Sequence, residues 1–358
     1  MTDGLVHTKV AVVGAGMAGS ACARALFDAE CSVHVVDKAR GPGGRLATRR
    51  MQCLDLHGAP RVTEMDHGAP GFGASGAAFH QFVSSVAQAG GVMPWQPTVA
   101  AGGRVGALAQ PLFVAQPDMP SLCRDLLQGV SSTWLFAVDR LQRGPLGWRL
   151  EAAGQALPGH FDAVVLAMPP AQAAPLLAPH RGDWSRRAAA AEMQPCWTLM
   201  GVSDRPAKTL PWNVALPEQE PLGWVMRQDA RPGRSRAVEE AHWVVHASAE
   251  WSRRHLEQPS EWVQQSLQAA LQELVGEPIA WQHAVVHRWR YAMPPAQHSR
   301  AETCWWDCDL GLGVCGDFLG GAGVEGAWQS ARALAVAMQG AASRTAVQVP
   351  PLLSRLWA

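Results

Sequence analysis

The chain predicts an α/β fold in which one Rossmann-type domain is assembled from separated stretches, with a mixed β-sheet and helices inserted between them. Three observations carry this. A β-branched run, Lys9 to Val13, ends at once in Gly14-Ala15-Gly16-Met17-Ala18-Gly19 and passes into an Ala-rich helical stretch reaching about Ala29. A second apolar run, Phe161 to Ala167, stops at Met168-Pro169-Pro170. A third block, Leu310 to Gly340, repeats strand, glycine loop and helix. The expected division is 1–65, 118–178 and 300–345 for the Rossmann-type domain, 66–117 and 179–299 for the inserted domain, and 346–358 for a C-terminal tail.

In the opening block a second strand, Ser32 to Val36, stops at an acid, Asp37. Strand, glycine turn, helix, strand and acid in this order form the layout of a dinucleotide-binding unit. Gly14 suits the tight turn, Gly16 allows a pyrophosphate to approach the backbone, and Gly19 allows the helix to pack on the strand. Free N–H groups at Met17 and Ala18 would meet the phosphates, and Asp37 is placed to accept from ribose hydroxyls. A merely tight turn is the alternative. Lys38-Ala39-Arg40-Gly41-Pro42-Gly43-Gly44-Arg45 follows, and a Gly-Gly-Arg after the ribose acid is characteristic of FAD rather than NAD proteins. Arg45 can neutralise a pyrophosphate while hydrogen-bonding to it; the alternative is a solvated basic loop.

The remaining elements follow in order. Asp66-His67-Gly68-Ala69-Pro70-Gly71-Phe72 reads as a loop, Phe79 to Ala89 as an amphipathic helix, and Val92 to Val114 as short antiparallel strands. Met119-Pro120-Ser121 opens another helix. Ser132 to Leu141 and Trp148 to Ala152 predict a hairpin, and Ala171 to Leu177 a helix. Cys196 to Trp251 is strand-like around a turn at Arg231-Pro232-Gly233-Arg234. Ser260 to Val275 is a helix with Ser260 as N-cap and Gly276 closing it, and Trp281 to Tyr291 is a strand.

Composition narrows the function. Thirty basic and thirty acidic side chains give no net charge, which argues against nucleic acid or an anionic membrane as partner. No apolar run approaches the roughly 18 residues of a membrane helix, and MTDGLVHTK lacks a signal pattern, so a cytoplasmic protein is expected. The eight cysteines are scattered without a CxxC, which favours reduced thiols. His242 with His246, and His283 with His287, have helical metal-pair spacing, but both segments are β-rich. Four strand residues span roughly 13 Å, too far for one ion, and no metal is expected.

The run from Gly313 to Trp328 (GVCGDFLGGAGVEGAW) is the second strong signal. Asp317 at a strand end could hold ribityl hydroxyls or a pyrophosphate-linked ribose, and the helix near Val324 could aim N–H groups at a flavin pyrimidine edge. A capped turn is the alternative. Gly73-Ala74-Ser75-Gly76-Ala77 lacks the last glycine of a nucleophile elbow, and no Walker lysine or carboxylate pair is present. Chemistry should therefore belong to a cofactor.

Together DKARGPGGR, DHGAPGF, DAVVLAMPP, HRWRYA and CGDFLGGAGVEGAW resemble bacterial renalase-type FAD oxidoreductases, relatives of flavin amine oxidases, over Val10 to about Ala335. The resemblance implies a p-hydroxybenzoate-hydroxylase-like architecture and non-covalent FAD. Carried over by position, Gly14, Gly16, Met17, Ala18, Asp37, Lys38, Gly44 and Arg45 meet the ADP half. Val138, the valine of a VxxL strand, meets adenine through its backbone. Gly68, Ala69, Asp317, Val324, Glu325 and Ala327 lie along the ribityl chain and isoalloxazine.

It further implies oxidation of 2- or 6-dihydro isomers of NAD(P)H to NAD(P)+, with hydride passing to flavin N5 and then O₂ as acceptor, giving H₂O₂. No strong base is needed. His246 matches the family's histidine on the substrate sheet and could bond a carboxamide, or be a satisfied core histidine. His67 belongs to the same pocket, with Trp289 and Tyr291 as walls or core. Arg288 or Arg227 could meet substrate phosphates, though solvated arginines are the alternative. Pro70-Gly71 departs from the family's usual glutamine and aromatic, which leaves substrate choice open. The alternatives are a flavin amine oxidase, whose lysine near flavin N5 has no clear counterpart here, and a non-catalytic flavin-binding protein. The sequence leaves the oligomeric state open.

Overall fold

Short β-branched runs punctuated by glycine and proline build two main sheets in the computed structural model, which describes residues 8–54, 58–206, 209–234, 239–295 and 302–342. The tail 346–358 lies outside the described residues. The first sheet is ordered Trp305–Asp307, Leu312–Val314, Ala163–Leu166, Lys9–Val13, Ser32–Val36, Ser131–Thr133. Every neighbouring pair is parallel except the first.

Side chains alternate across this sheet, as the period of two requires. Val10, Val12, Val33 and Val35 pack with residues of the helices Met17–Asp28 and Gly323–Ala342. Ala11, Val13 and Val36 instead meet Leu176, Leu177 and Trp184 from the helices Pro170–Leu177 and Gly182–Ala190. Both faces are covered, which is why the central strands are apolar throughout.

The second sheet has seven strands, ordered Trp281–Met293, Gln194–Asp204, Glu240–Ala247, Leu222–Arg227, Val214–Leu216, Thr98–Ala101, Arg104–Ala107. Helix Ser260–Val275 lays Val263, Leu267, Leu271 and Val275, spaced by four, against Trp197, Leu199, Trp243 and Val245 on one face. The opposite face carries the histidines discussed below.

The chain thus has an α/β fold with a Rossmann-type layer and an additional sheet. Several local expectations are corrected. Ser132 to Leu141 is not one hairpin arm. Ser131–Thr133 joins the parallel sheet beside Ser32–Val36, and only Arg140–Gly144 forms the hairpin, with Gly147–Ala152. Between them Leu135 adopts φ +59, while the amides of Leu135 and Phe136 donate to the carbonyls of Ala39 and Asp37 at 2.9 and 3.0 Å. Those bonds draw the segment onto the loop after Asp37 and out of any hairpin. Ser260 is the first helical residue, and Pro259, extended at ψ 142, is the N-cap; proline before the first turn has no N–H to leave unpaired. Thr98–Ala101 pairs antiparallel with Arg104–Ala107 but parallel with Val214–Leu216. The hairpin Thr48–Leu54 with Pro60–Asp66 had no counterpart in the sequence reading.

Candidate functional site

The opening glycine turn is shaped by backbone contacts. Gly14 has φ +109, and a Cβ there would lie 2.4 Å from the Ala167 carbonyl oxygen; a Cβ on Gly19 would lie 1.7 Å from that of Gly14. Only glycine permits the helix to start this close to two strands. Gly16 bridges to Gly43, whose amide donates to Ala15 at 2.9 Å, so the second glycine loop docks on the first. No side chain caps the helix that begins at Met17, and its first turn has no acidic residue. Its free N–H groups and dipole are therefore left for an anion. The Asp37 carboxylate accepts from the amides of Ala15 at 2.6 Å and Ala39 at 2.7 Å, which fixes it beside this cradle. These features fit a dinucleotide pyrophosphate.

Two motifs far apart in sequence meet at one ion pair. Arg45 donates two parallel hydrogen bonds to Asp317, Nη1 to Oδ2 at 2.6 Å and Nη2 to Oδ1 at 2.7 Å, and Nη1 also reaches the Ala292 carbonyl at 2.9 Å. Asp317 is buried and Arg45 about one-third exposed. Arg45 was expected to spend its charge on a pyrophosphate, but here the carboxylate neutralises it. The pair instead ties the loop after Asp37 to the C-terminal glycine loop and to the end of strand Trp281–Met293.

The loop carrying His67 runs beside the same segment. The amides of His67 and Ala69 donate to the carbonyls of Ala47 and Arg45 at 3.1 and 2.9 Å, and a Cβ on Gly68 would lie 1.9 Å from the Arg45 oxygen. The His67 carbonyl accepts from His246 Nε2 and from Trp289 Nε1, each at 3.2 Å. A carbonyl can only accept, so Nε2 carries the His246 proton and Nδ1 presents a lone pair.

Cross-strand register lines up Trp224, His246, Thr198 and His287 in one row, and directly opposed residues share a face. The His67 ring stacks on Trp289, with centroids 5.1 Å apart, and meets His287 edge-on at 4.9 Å. The result is a wall of imidazole and indole.

These imidazoles are held neutral. Burial, with His287, Arg49 and His246 nearby, pushes His67 down to about 3. Burial and Arg231 push His246 down to about 4. His287 is lowered by burial and by Arg49.

Beneath His67 lies a group that sequence reasoning missed. Asp66, fully buried, accepts from Arg231 Nη1 at 2.5 Å, Arg234 Nε at 2.7 Å and Gln228 Nε2 at 2.9 Å, as well as from the Thr48 hydroxyl. Arg231 is itself fully buried. The signal available was Arg231-Pro232-Gly233-Arg234, read only as a turn; nothing in it announces a partner 165 residues away.

Other expected site residues fall as follows. Met17, Ala18 and Ala327 are buried, Gly44 and Lys38 exposed, and Lys38 Nζ reaches Gln172 at 3.2 Å. Val138 is not on a strand; it follows the segment bonded to Asp37 and packs against the core beside Phe136. Val324 and Tyr291 are half-buried. The Glu325 side chain is committed elsewhere: it accepts from the Ser75 and Gly76 amides at 2.9 and 2.7 Å and from the Ser75 hydroxyl at 2.9 Å. It therefore anchors the loop before helix Ala77–Gln88, leaving only its backbone for a cofactor. Arg288 is paired with Glu257 at 2.8 Å and Arg227 with Asp229 at 2.7 Å, each acid being shared with a second arginine, Arg290 and Arg205 respectively. His242, His246, His283 and His287 all lie on strands.

A family model described as an NAD(P)-binding Rossmann-like domain matches residues 12–85. Among solved structures, the chain is similar to a protein from Exiguobacterium sp. 255-15 provisionally named a protoporphyrinogen oxidase, at 11% identity and TM-score 0.73, covering 94% of this chain and 100% of that one. It is also similar to cyclohexylamine oxidase from Brevibacterium oxydans IH-35A (13%, TM-score 0.65, 94% and 99%). An oxidoreductase from Methanosarcina mazei matches at 13% and TM-score 0.64, covering 91% and 99%. At these identities the likeness establishes a shared fold over nearly the full length. No helix among the described residues is long and apolar enough to cross a membrane.

Proposed function

We propose that the chain is a renalase-like oxidoreductase with non-covalent FAD, oxidising 2- or 6-dihydro isomers of NAD(P)H to NAD(P)+. The observation that carries this is the convergence of the Gly-Gly-Arg loop, the Asp317 loop and the His67 loop at the Arg45–Asp317 pair. The oxidase names of the structural neighbours are in keeping with it. When bound, FAD supplies a two-electron acceptor that takes hydride from the donor and passes the electrons to O₂, giving H₂O₂. The division 1–65, 118–178 and 300–345 against 66–117 and 179–299 is part of the same proposal.

The protein's share is binding and exclusion of water. Asp37 and the uncapped helix start would hold the adenosine ribose and pyrophosphate, with Asp317 and the backbone from Val324 to Ala327 towards the ring. His246 Nδ1, its tautomer fixed by the His67 carbonyl, would accept from a carboxamide N–H. Because a dihydropyridine that loses hydride becomes aromatic, no side chain needs to take a proton, and neutral imidazoles suit that step.

A flavin amine oxidase is the second reading, favoured by the architecture shared with cyclohexylamine oxidase. Against it, Arg49, whose charge acts on His67 and His287, is a cation with no ion pair among the described residues and would repel an ammonium substrate.

The purified protein is expected to be yellow and to release intact FAD on acid precipitation, with none left on the polypeptide. It should form one H₂O₂ and one NAD+ per 6-dihydro-NAD consumed in air. A colourless protein that takes up no FAD would overturn the cofactor, and peroxide formed only from amines would favour the second reading.

A further inference from the structure

We propose that Arg49 receives an oxyanion of the substrate, a phosphate or a carboxylate, beside the wall formed by His67, His246, His287 and Trp289. The inference deepens the function proposed above and rests on the same pocket.

Arg49 lies on the strand Thr48–Leu54, opposite Met65 on the partner strand Pro60–Asp66, and His67 follows directly after that strand's end. Its side chain is exposed and makes no ion pair or hydrogen bond among the described residues. Its neighbour Arg50 pairs with Glu64 at 2.9 Å. The charge of Arg49 nevertheless reaches both His67 and His287.

The balance of charge around the wall is positive. Asp66 is outnumbered by Arg231 and Arg234, and Asp317 is neutralised by Arg45. Among the described residues no carboxylate pairs with Arg49. An excess of one sign of charge concentrates ligands of the other sign, and a guanidinium matches the paired oxygens of phosphate or carboxylate. The wall itself offers aromatic faces and one imidazole lone pair, which suits a planar group carrying an N–H donor. A donor joining a planar ring to an anion fits both halves of the site.

The test is calorimetric titration of the FAD-loaded protein with ligands that carry no oxidisable amine or dihydropyridine, which reads binding without turnover. Nicotinamide mononucleotide is compared with nicotinamide riboside, and phenylacetate with phenylacetamide, in wild type, R49Q, R49K and R50Q. Wild type should prefer one anionic member of a pair by about tenfold or more, as a charge-assisted contact predicts; which pair responds separates phosphate from carboxylate. R49Q should erase the preference, R49K should keep part of it, and R50Q should leave it unchanged. Equal binding within both pairs in wild type, or an undiminished preference in R49Q, would overturn the proposal. Loss of the 6-dihydro-NAD reaction with this preference intact would instead count against the assigned donor alone.

Discussion

Replacing Asp66 with alanine is expected to destabilise the fold by about 3–5 kcal/mol, the cost of leaving a buried charge without its partner. Asp66 and Arg231 are both fully buried, and Arg234 is nearly so. Without the carboxylate two guanidiniums face each other in the interior. Arg234 would keep its bonds to the Pro117 and Ala115 carbonyls at 2.6 and 3.0 Å, whereas Arg231 would be left with Gln228 and the Met119 sulfur.

Asp66→Asn preserves the volume and one acceptor oxygen, so it should cost less than alanine while still losing the charge. Adding Arg231→Met to Asp66→Asn should recover part of the loss, with a coupling of about 1–3 kcal/mol between neighbouring sites. Urea unfolding of wild type, Asp66→Asn, Arg231→Met and the double variant measures this. Additive effects would show that the network is not a unit. Burial alone would raise the Asp66 pKa, but Arg231, Arg234 and the Thr48 and Gln228 bonds bring it below its ordinary value. Its contribution is therefore present above pH about 4 and lost as the pH falls through the lower folded-state value.

The second large effect is a loss of stability on mild acidification. His67 and His246 have folded-state values of about 3 and about 4, against about 6.5 for an unfolded histidine. Between those limits the unfolded chain binds protons that the folded chain refuses. Stability therefore falls as pH drops from about 6.5, by up to about 1.4 kcal/mol per pH unit for each histidine. Above pH 7 both states are neutral at these sites and the dependence vanishes. His67→Gln should reduce the slope of unfolding free energy between pH 6 and 4 by about one proton's worth, with no change in slope above pH 7. An unchanged slope in this variant would mean that His67 protonates in the folded protein.

Backbone necessity is what made much of the fold readable. A glycine is demanded where a Cβ would strike a carbonyl, as at Gly14 and Gly19, so the turn and the acid closing the next strand stand out in one dimension. The helix Ser260–Val275 was legible for a similar reason, since its apolar spacing of four matches one buried stripe.

Long-range pairing left no such trace. Arg45 and Asp317 each belong to a recognisable motif, yet neither motif says that they bond to each other across 272 residues. Asp66 with Arg231 and Arg234 is a stronger instance, because buried charges look like surface charges until their partners are known. Val138 was misplaced because Ser132 to Leu141 has strand composition throughout, while hydrogen bonds from Leu135 and Phe136 to the loop after Asp37 decided its path. Glu325 was expected along the cofactor, but the Ser75 and Gly76 amides claim its carboxylate.

The central claim, hydride transfer from an isomeric dihydronicotinamide to bound FAD, is tested most directly by anaerobic stopped-flow absorbance. The FAD-loaded protein is mixed separately with 6-dihydro-NAD, ordinary β-NADH and a panel of primary amines. The account predicts fast bleaching of the yellow flavin by the 6-dihydro isomer, little by β-NADH and none by the amines. Bleaching by an amine alone, or by none of these donors, would contradict it.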